Sequence, residues 1–204
     1  MTDERLRCSW CCDGGIVQKY HDTEWGVPLR DDQKQFEFLM MEVMQCGLNW
    51  TMMLRKRDIF RVCFDNFAYE KIAHYTEADI ERILAVPGMI RSRRKITAVI
   101  NNARRFVDIL AGYHSFWAYL RSFSQAGMIL YRGHETGAIP ARTELSDRIS
   151  TDLRKRGFKF LGSVTVYAHL QACGVVNDHV ESCFRYRELI AAAGDQAVGR
   201  EDNG

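Results

Sequence analysis

The sequence contains no apolar run long enough to cross a membrane. Its first five residues are polar and lack the apolar segment of a signal peptide. Internal repeats and long low-complexity linkers are missing as well. These absences argue against a membrane or secreted protein, and we expect a soluble protein of the cytoplasm.

The chain does not have the even number of cysteines that is typical of a disulfide framework, since it contains seven. In a chain of cytosolic character, an odd number favours free thiols and metal ligation over a disulfide framework. The chain has 204 residues, of which 47% are hydrophobic. That is enough for one large domain, or for two closely packed lobes, around a substantial core.

Two pairs of candidate metal ligands lie at opposite ends of the chain: Cys8 with His21, and His179 with Cys183. The second pair is spaced i, i+4, so on a helix both side chains project from one face. Residues 177–178 (Asn-Asp) are favourable N-cap residues, and we predict a short helix after them. Two thiolates with two imidazoles are the ligands of a tetrahedral structural zinc site. If the four meet, the ion ties the two ends of the chain together.

Other cysteines and histidines leave alternatives open. Cys8 and Cys11 form a CxxC motif, so a redox pair or a ligand set that includes Cys11 competes with the first interpretation, and Cys12 is a further competitor. The remaining histidines have no ligand spacing and are interpreted as surface or hydrogen-bonded core residues: His74, His114, His134 and His169.

Helical periodicity dominates the chain. Only residues 164–167 have strand-like character, and they can equally open a helix. Residues 191–204 are rich in alanine, glycine and charge, and we predict a disordered tail. The predicted helices cover residues 32–46, 49–64, 77–86, 93–110, 115–123, 145–156 and 164–173.

Positive charge is concentrated although the net charge is only +2. Seven Arg or Lys and no acid lie between Arg82 and Arg105, and a second basic cluster lies at residues 154–156 with Lys159. Local clusters of this kind indicate an anion-binding face, for which nucleic acid is the usual large partner. The alternative is that these are ordinary solvated helix faces.

A Pro-Gly turn at residues 86–91 (VPGMIR) precedes the basic helix. Such a turn exposes backbone N–H groups at a helix N-terminus, where they suit a phosphate. The segment resembles a helix-hairpin-helix, a sequence-independent clamp for the DNA backbone, although Ile90 stands where that motif often has a second glycine.

One acidic residue, Glu42, lies on the apolar stripe of the helix predicted at 32–46. A buried carboxylate without a partner is costly, so Glu42 either pairs internally, for example with an arginine, or serves a ligand. Three of the four tryptophans, Trp10, Trp25 and Trp50, lie nearby in sequence. If Glu42 serves a ligand, these residues place a carboxylate at the floor of an aromatic pocket that suits a flat, cationic or hydrogen-bonding ligand.

Five segments in matching order and spacing resemble the 3-methyladenine DNA glycosylase I family, from Cys8 to about Cys183. They are CSW at 8–10, YHDTEWGVP at 20–28, Glu42 with QCGLNW at 45–50, KRGFKF at 155–160 and QACGVVNDH at 171–179. The resemblance implies an all-α helix-hairpin-helix glycosylase fold with two lobes. It also implies one structural Zn²⁺ held by Cys8, His21, His179 and Cys183.

The implied layout is a single glycosylase unit at 5–187. A central helical lobe covers about 30–160 and includes the hairpin at about 80–105. The zinc-clasped lobe combines about 5–29 with 161–187. The implied partner is duplex DNA with alkylated adenine, and we expect a monomer, associated with the nucleoid, that needs neither a protein partner nor a membrane.

Members of the family excise N3-methyladenine from alkylated duplex DNA by hydrolysing the N-glycosidic bond. Carried over to this chain, Glu42 is the catalytic residue that accepts hydrogen bonds from the base edge, and we expect it to be ionised. Tyr20 and Trp50 are the stacking walls, while Trp10 and Trp25 close the pocket.

The implied DNA contacts begin with Gly47 and Leu48, which lie at the wedge that fills the gap left by the flipped base. The others lie in the hairpin and the helix after it: Gly88, Arg91, Arg93, Arg94 and Lys95.

Three positions depart from the family pattern: Val17 replaces a pocket tyrosine, Val43 a glycine and Asn49 a serine. They put the substrate range and the rate in doubt but spare the fold. Two rival interpretations follow, a non-catalytic or altered-specificity alkylated-DNA-binding protein and a zinc metallohydrolase. Four protein ligands leave no open coordination position for water, which disfavours the second.

Overall fold

The computed structural model describes residues 5–11, 14–124, 127–193 and 198–201, and across them the protein is mostly helical, as predicted. No helix in this part of the chain is both long and apolar enough to span a membrane. Three short 3₁₀ segments lie at Ser9–Cys11, Asp65–Phe67 and His134–Thr136, and two strands are β1 (Met128–Tyr131) and β2 (Val198–Glu201). The described α-helices are α1 (Gly15–Thr23), α2 (Asp32–Gln45), α3 (Trp50–Cys63), α4 (Tyr69–Ile72), α5 (Glu77–Ala85), α6 (Arg93–Tyr113), α7 (Phe116–Arg121), α8 (Glu144–Lys155), α9 (Ser163–Ala172) and α10 (Phe184–Ala193).

Helix α2 lies at the centre of the core, where it contacts α3, α6, α7 and α9. Residues 35–44 are all buried, which is the pattern of a helix enclosed on every side. The ring of Phe106 from α6 lies between Phe36 (centroids 5.1 Å apart) and Phe116 (4.6 Å). This packing anchors the N-terminal half of α2, the helix that also carries Glu42.

Polar side chains determine where several helices begin. Asp31 accepts a hydrogen bond from the Lys34 N–H at the start of α2, and Asn49 accepts one from the Met52 N–H at the start of α3, each at 2.8 Å. Such N-caps typically stabilise a helix by about 1 kcal/mol. Thr76 completes a capping box at the start of α5. The seven predicted helices all begin within one residue of the observed starts.

The helix predicted after residues 177–178 is absent, since residues 177–183 are not helical. Asn177 accepts a hydrogen bond from the His179 N–H at 3.2 Å in a local turn. The carboxylate of Asp178 is bound instead by side chains from other elements. Residues 164–167 lie in α9, and sequence reasoning missed both strands.

The tail expected to be disordered is in part regular. Residues 191–193 complete α10, and β2 pairs in parallel with β1, from Val198 opposite Met128 to Glu201 opposite Tyr131. Residues 194–197 and 202–204 lie outside the described residues.

The N-terminal and C-terminal segments meet at a close backbone contact. The Leu29 N–H donates to the Cys173 carbonyl at 3.0 Å. Gly174 has a φ of 73°, and a Cβ at this position would lie 2.5 Å from the backbone of Val27 and Pro28. Only glycine permits this approach, which brings the residues after α1 against those after α9.

Helices α5 and α6 are joined by the predicted turn. Gly88 has a φ of 80°, in the left-handed region that favours glycine, and its carbonyl accepts a hydrogen bond from Lys56 Nζ. Ser92 then caps α6 by accepting from the Lys95 N–H. The turn therefore ends one helix and begins the next within seven residues, 86–92.

Candidate active site and metal centre

The four predicted metal ligands, Cys8, His21, His179 and Cys183, come together in one buried cluster. Their ligand atoms all lie within 4.8 Å of one another. Cys183 Sγ is 3.5 Å from both His21 Nε2 and His179 Nδ1, and Cys8 Sγ is 3.6 Å from His179 Nδ1. Tetrahedral bonds of ~2.0–2.3 Å place neighbouring ligand atoms roughly 3.5 Å apart, so the cluster is suited to a metal ion.

Contacts outside the cluster fix which ring nitrogen of each histidine faces it. His21 Nδ1 lies 2.8 Å from Asp22 Oδ1, and Arg7 binds the same carboxylate. His179 Nε2 lies 3.2 Å from the Trp25 carbonyl oxygen. Because a carboxylate and a carbonyl only accept, these two nitrogens carry the protons. His21 Nε2 and His179 Nδ1 are thereby left as lone-pair donors to a metal.

The alternative ligand set that includes Cys11 is not formed. Cys11 Sγ contacts the Cys8 carbonyl oxygen at 3.1 Å and stays outside the cluster, while Cys12 lies outside the described residues. The hydrogen bond between the two thiols holds the pKa of Cys183 well below its usual range and raises the pKa of Cys8. A thiolate is the form that ligates a metal.

The other histidines behave as the sequence indicated. His134 is buried and lies 2.8 Å from Asp178, and His169 is buried with Nε2 at 2.9 Å from Gln35 Oε1. His74 and His114 are exposed. None of the four belongs to the cluster of potential metal ligands found among the described residues.

A cavity of about 300 Å³ opens next to this cluster. Tyr20 reaches it from α1, Glu42 from α2, and Trp50 is the first residue of α3. The structure thus brings together every residue for which the sequence indicated base binding or catalysis. The full lining is Trp10, Tyr20, Trp25, Glu42, Gln45, Trp50, Ile139, Ala168 and Gln171.

The aromatic residues form two edge-on or tilted pairs around the cavity. Tyr20 and Trp50 have ring centroids 5.4 Å apart and planes inclined at 56°, and Trp10 meets Trp25 at 4.9 Å and 78°. A flat base held between two rings needs roughly 7 Å, since each contact takes about 3.5–4 Å. In this arrangement a base therefore fits against the Tyr20–Trp50 pair rather than between its rings.

Glu42 is only 4% exposed, and no described residue hydrogen-bonds to its carboxyl group. The internal arginine pair considered from the sequence belongs to Glu37, which binds Arg57 at 2.7 Å and Arg61 at 2.8 Å. A buried carboxyl group that faces a cavity without a protein partner is placed to accept hydrogen bonds from a ligand.

Burial raises the pKa of Glu42 to about 8. Burial therefore favours the protonated form of Glu42 in the free protein, and the ionised form expected from the sequence needs a compensating interaction such as a cationic ligand. Burial, and then the charge of Glu42, raises the pKa of Tyr20 well above its usual value. Its phenol stays protonated and remains available as a hydrogen-bond donor.

Four cavity residues had no role in the sequence analysis: Gln45, Ile139, Ala168 and Gln171. Gln45 follows Glu42 by three positions, so helical periodicity could have placed it on the same face. Ile139 lies in the loop before α8, and no local signal connects it to α2. The pairing of these segments is a tertiary feature that periodicity does not report.

The three departures from the family pattern have different surroundings. Val43 is fully buried in the core and does not line the cavity, so its added bulk faces away from the ligand space. Val17 is partly buried and packs against the core. Asn49 is the N-cap of α3, a role in which serine and asparagine are similarly effective.

The predicted wedge residues follow directly after α2. Gly47 has a φ of 82° with open space around its Cα, and Leu48 is 36% exposed. The Leu48 N–H bonds to the Gln45 carbonyl at 2.6 Å, which closes the turn. An apolar side chain is thereby exposed within three residues of a cavity-lining one.

Among the predicted DNA-contacting residues, Arg93 is already paired. Its guanidinium binds both Glu77 and Glu81, which lie on α5 and precede the acid-free stretch that starts at Arg82. The stretch from Arg82 to Arg105 contains no acid, yet at Arg93 it is opposed by glutamates that lie outside the stretch in sequence and near it in the fold.

Lys95 is also engaged within the protein. Its Nζ donates to the carbonyls of Met44 and Cys46 at 2.7 and 2.8 Å, at the C-terminal end of α2. A cation at this end of a helix is favourable, and here it fixes the turn that carries the wedge. Arg91 and Arg94 are exposed, and Arg94 lies 5.0 Å over the ring of Phe160.

A larger cavity of about 510 Å³ lies on the other side of Tyr20, between α1, α2 and α3. Its arginines are neutralised: Arg57 binds Glu24 at 2.6 Å as well as Glu37, and Arg61 also binds Glu37. The smaller cavity, with its unpartnered buried carboxyl group, is therefore the stronger candidate for chemistry.

A family model described as methyladenine glycosylase matches residues 10–186. The chain is 41% identical to DNA-3-methyladenine glycosylase 1 of Escherichia coli over 180 residues, 88% of this chain and 96% of that protein. It is 37% identical to DNA-3-methyladenine glycosylase of Haemophilus influenzae over 177 residues, 87% of this chain and 96% of that protein.

A crystal structure of a 3-methyladenine DNA glycosylase I superposes with a TM-score of 0.82 at 41% identity, covering 88% of this chain and 98% of that one. The matched family region contains the entire cavity lining and three of the four cluster residues. The chain therefore belongs to the methyladenine glycosylase family.

Proposed function

We propose that this protein is a DNA repair glycosylase that flips N3-methyladenine out of alkylated duplex DNA and hydrolyses its N-glycosidic bond. The observation that carries the proposal is Glu42, a buried carboxyl group without a protein partner in an aromatic cavity. Membership of a family whose named relatives are DNA-3-methyladenine glycosylases supports the reaction class.

The cavity suits one flipped base. A base inside a duplex is unreachable, and extruding it costs a few kcal/mol. Stacking against Tyr20 and Trp50 returns roughly 1–3 kcal/mol. Exposed Leu48 fills the gap in the duplex, as apolar wedges do in proteins that unstack a base step.

Glu42 selects for a base that carries a positive charge. Methylation at N3 makes adenine a cation and weakens its glycosidic bond, so a strong protein nucleophile is not required. An opposite charge lowers the pKa of a carboxyl group, and the entering cation therefore favours loss of the Glu42 proton. The resulting carboxylate accepts N–H groups of the base and stabilises the positive charge that moves to the sugar as the bond breaks.

The Cys8–His21–His179–Cys183 cluster is proposed to hold one Zn²⁺ as a structural ion. Two thiolates and two imidazoles fit the ligand preference and tetrahedral geometry of zinc, and four protein ligands leave no position for a reactive water. Bound there, the ion supplies a crosslink between the N-terminal and C-terminal segments. This donor set favours the glycosylase over a zinc metallohydrolase.

The hairpin at residues 86–92 is proposed to contact the DNA backbone through Gly88 and the exposed side chains of Arg91 and Arg94. Lys95 acts indirectly, since it holds the turn with Gly47 and Leu48. The central helical lobe and the zinc-clasped lobe remain our proposed division of the unit. We propose a monomer that works on duplex DNA in the cytoplasm.

Release of free base from methylated duplex DNA tests the proposal. The wild type is expected to release 3-methyladenine, while Glu42→Gln and Trp50→Ala lose most of the activity and keep the fold. Trp50→Phe is the matched control, since it keeps an aromatic face. If the folded wild type releases no 3-methyladenine, the enzymatic assignment is wrong and a non-catalytic alkylated-DNA-binding protein becomes the better interpretation.

A further inference from the structure

A buried polar network behind the cavity has no role in the function proposed above. Asp178 is 1% exposed and accepts three hydrogen bonds. His134 Nδ1 lies 2.8 Å from Oδ1, while Oδ2 accepts from the Tyr167 hydroxyl and from Gln171 Nε2, the latter at 2.7 Å. Two elements of the fold, the 3₁₀ segment at His134–Thr136 and helix α9, converge on this carboxylate, so its position is tightly determined.

The network determines how the Gln171 amide is oriented. Gln171 Nε2 donates to Asp178 Oδ2, so the NH₂ group of Gln171 faces Asp178. Its Oε1 then faces away, and no described residue donates to that oxygen. Gln171 is part-exposed and lines the same cavity as Glu42. The cavity wall therefore contains an acceptor that cannot exchange places with a donor.

We propose that Gln171 is a specificity-determining residue and that Asp178 is its positioning residue. This inference rests on the proposed glycosylase function. With the Glu42 carboxylate, the fixed Gln171 oxygen presents two acceptors to a bound base. Such a site favours binding of a purine whose 6-amino group donates a hydrogen bond. It disfavours a 6-oxopurine, because the oxygen at position 6 would face these acceptors in a desolvated site without a hydrogen bond.

Two N3-methylated purines in the same DNA allow the test, because both are cations and differ in their exocyclic groups. The measurement is the ratio of kcat/KM for release of 3-methyladenine to that for release of 3-methylguanine from methylated duplex DNA. Gln171→Met removes the acceptor at similar length, and we expect the ratio to fall 10-fold or more. Gln171→Leu replaces it if Gln171→Met does not fold.

Gln171→Glu tests the acceptor itself. At pH 6 two carboxyl groups in contact share a proton, so the new side chain donates to Asp178 and keeps an oxygen toward the cavity. We expect the wild-type ratio to be retained. Gln45→Met is the matched control, since Gln45 lines the cavity but no described residue fixes its amide, and its ratio is expected to stay within 2-fold.

An unchanged kcat/KM ratio in Gln171→Met overturns the inference. An equal fall of the ratio in Gln171→Met and Gln171→Glu also overturns it, because such a result would show that side-chain packing, and not the acceptor, sets the ratio. An equal loss in Gln45→Met would reject the argument from orientation. Each of these outcomes leaves release of 3-methyladenine by the wild type intact. Absence of that release would instead reject the proposed function, and this inference with it.

Discussion

Because the pKa of Glu42 is raised, the contribution of its negative charge to the reaction depends on pH. With a pKa of about 8, a carboxyl group is ionised in roughly one free molecule in a hundred at pH 6 and in about nine in ten at pH 9. Only the ionised form attracts a cationic base. Glu42→Gln has the same shape and can never ionise, so the variant measures what the charge contributes.

The expected magnitude follows from these fractions. Removing one preorganised electrostatic contact in a desolvated site typically costs about 10²–10³ in rate. We expect a wild-type advantage of about that size at pH 9, where the charge is present in the free enzyme. At pH 6 the advantage should shrink by about two orders of magnitude, in proportion to the ionised fraction.

The assay is release of 3-methyladenine from methylated duplex DNA at subsaturating substrate, because kcat/KM reports the pKa values of the free enzyme. Spontaneous release is subtracted at every pH. All other titrating groups are shared by the two proteins, so the ratio of wild type to Glu42→Gln isolates residue 42. A ratio that stays constant from pH 6 to pH 9 would refute the reasoning, as would an inflection near the ordinary carboxyl pKa.

Three further outcomes are expected. The folded protein binds the Glu42 proton more tightly than the unfolded chain does. The protonated residue therefore contributes to the free energy of unfolding, by on the order of 5 kcal/mol at most. This contribution is fully present below pH 4.5 and is lost as pH rises through about 8. Thermal melts should therefore show Glu42→Gln gaining on the wild type between pH 6 and pH 9. Chelation, or Cys183→Ser, should lower the melting temperature before turnover falls; lost turnover at an unchanged melting temperature would contradict a structural ion. Arg94→Ala should reduce the slope of the logarithm of the DNA-binding constant against the logarithm of salt concentration by about one. Arg93→Ala should change this slope less, because two glutamates already neutralise the Arg93 side chain.

Local signals in the sequence were sufficient for most helices. Apolar periodicity placed their bodies, and side chains such as Asn49 placed their starts, because capping is a contact between near neighbours. Helices α1, α4 and α10 were missed, and α4, with four residues, is too short to show a helical period. Strands β1 and β2 were missed because each is only four residues long and the partners lie far apart in sequence.

The four candidate metal ligands come together as predicted, but the spacing argument for the second pair is only half right. Spacing of i, i+4 indicated a helix that would present His179 and Cys183 together, yet residues 177–183 are not helical. The ligands meet because the close contact at Gly174 brings the chain back to residues 26–28. Likewise, the pairing of Arg93 with acids of α5 follows from helix packing, which charge counting along the chain does not include.

The proposed metal centre and the cavity share parts of the chain, which would place a structural ion next to the proposed base pocket. The Trp25 carbonyl oxygen contacts His179, while the Trp25 ring lines the cavity. Tyr20 and Asp178 each directly precede a candidate metal ligand in the sequence. Adjacent residues thus face the metal on one side and the base on the other. An ion that fixes the ligands consequently restrains both the aromatic wall and the Asp178 carboxylate that orients Gln171. If the proposed ion is bound, precise acceptor geometry in the pocket depends on this crosslink, although no reaction step needs to pass through it.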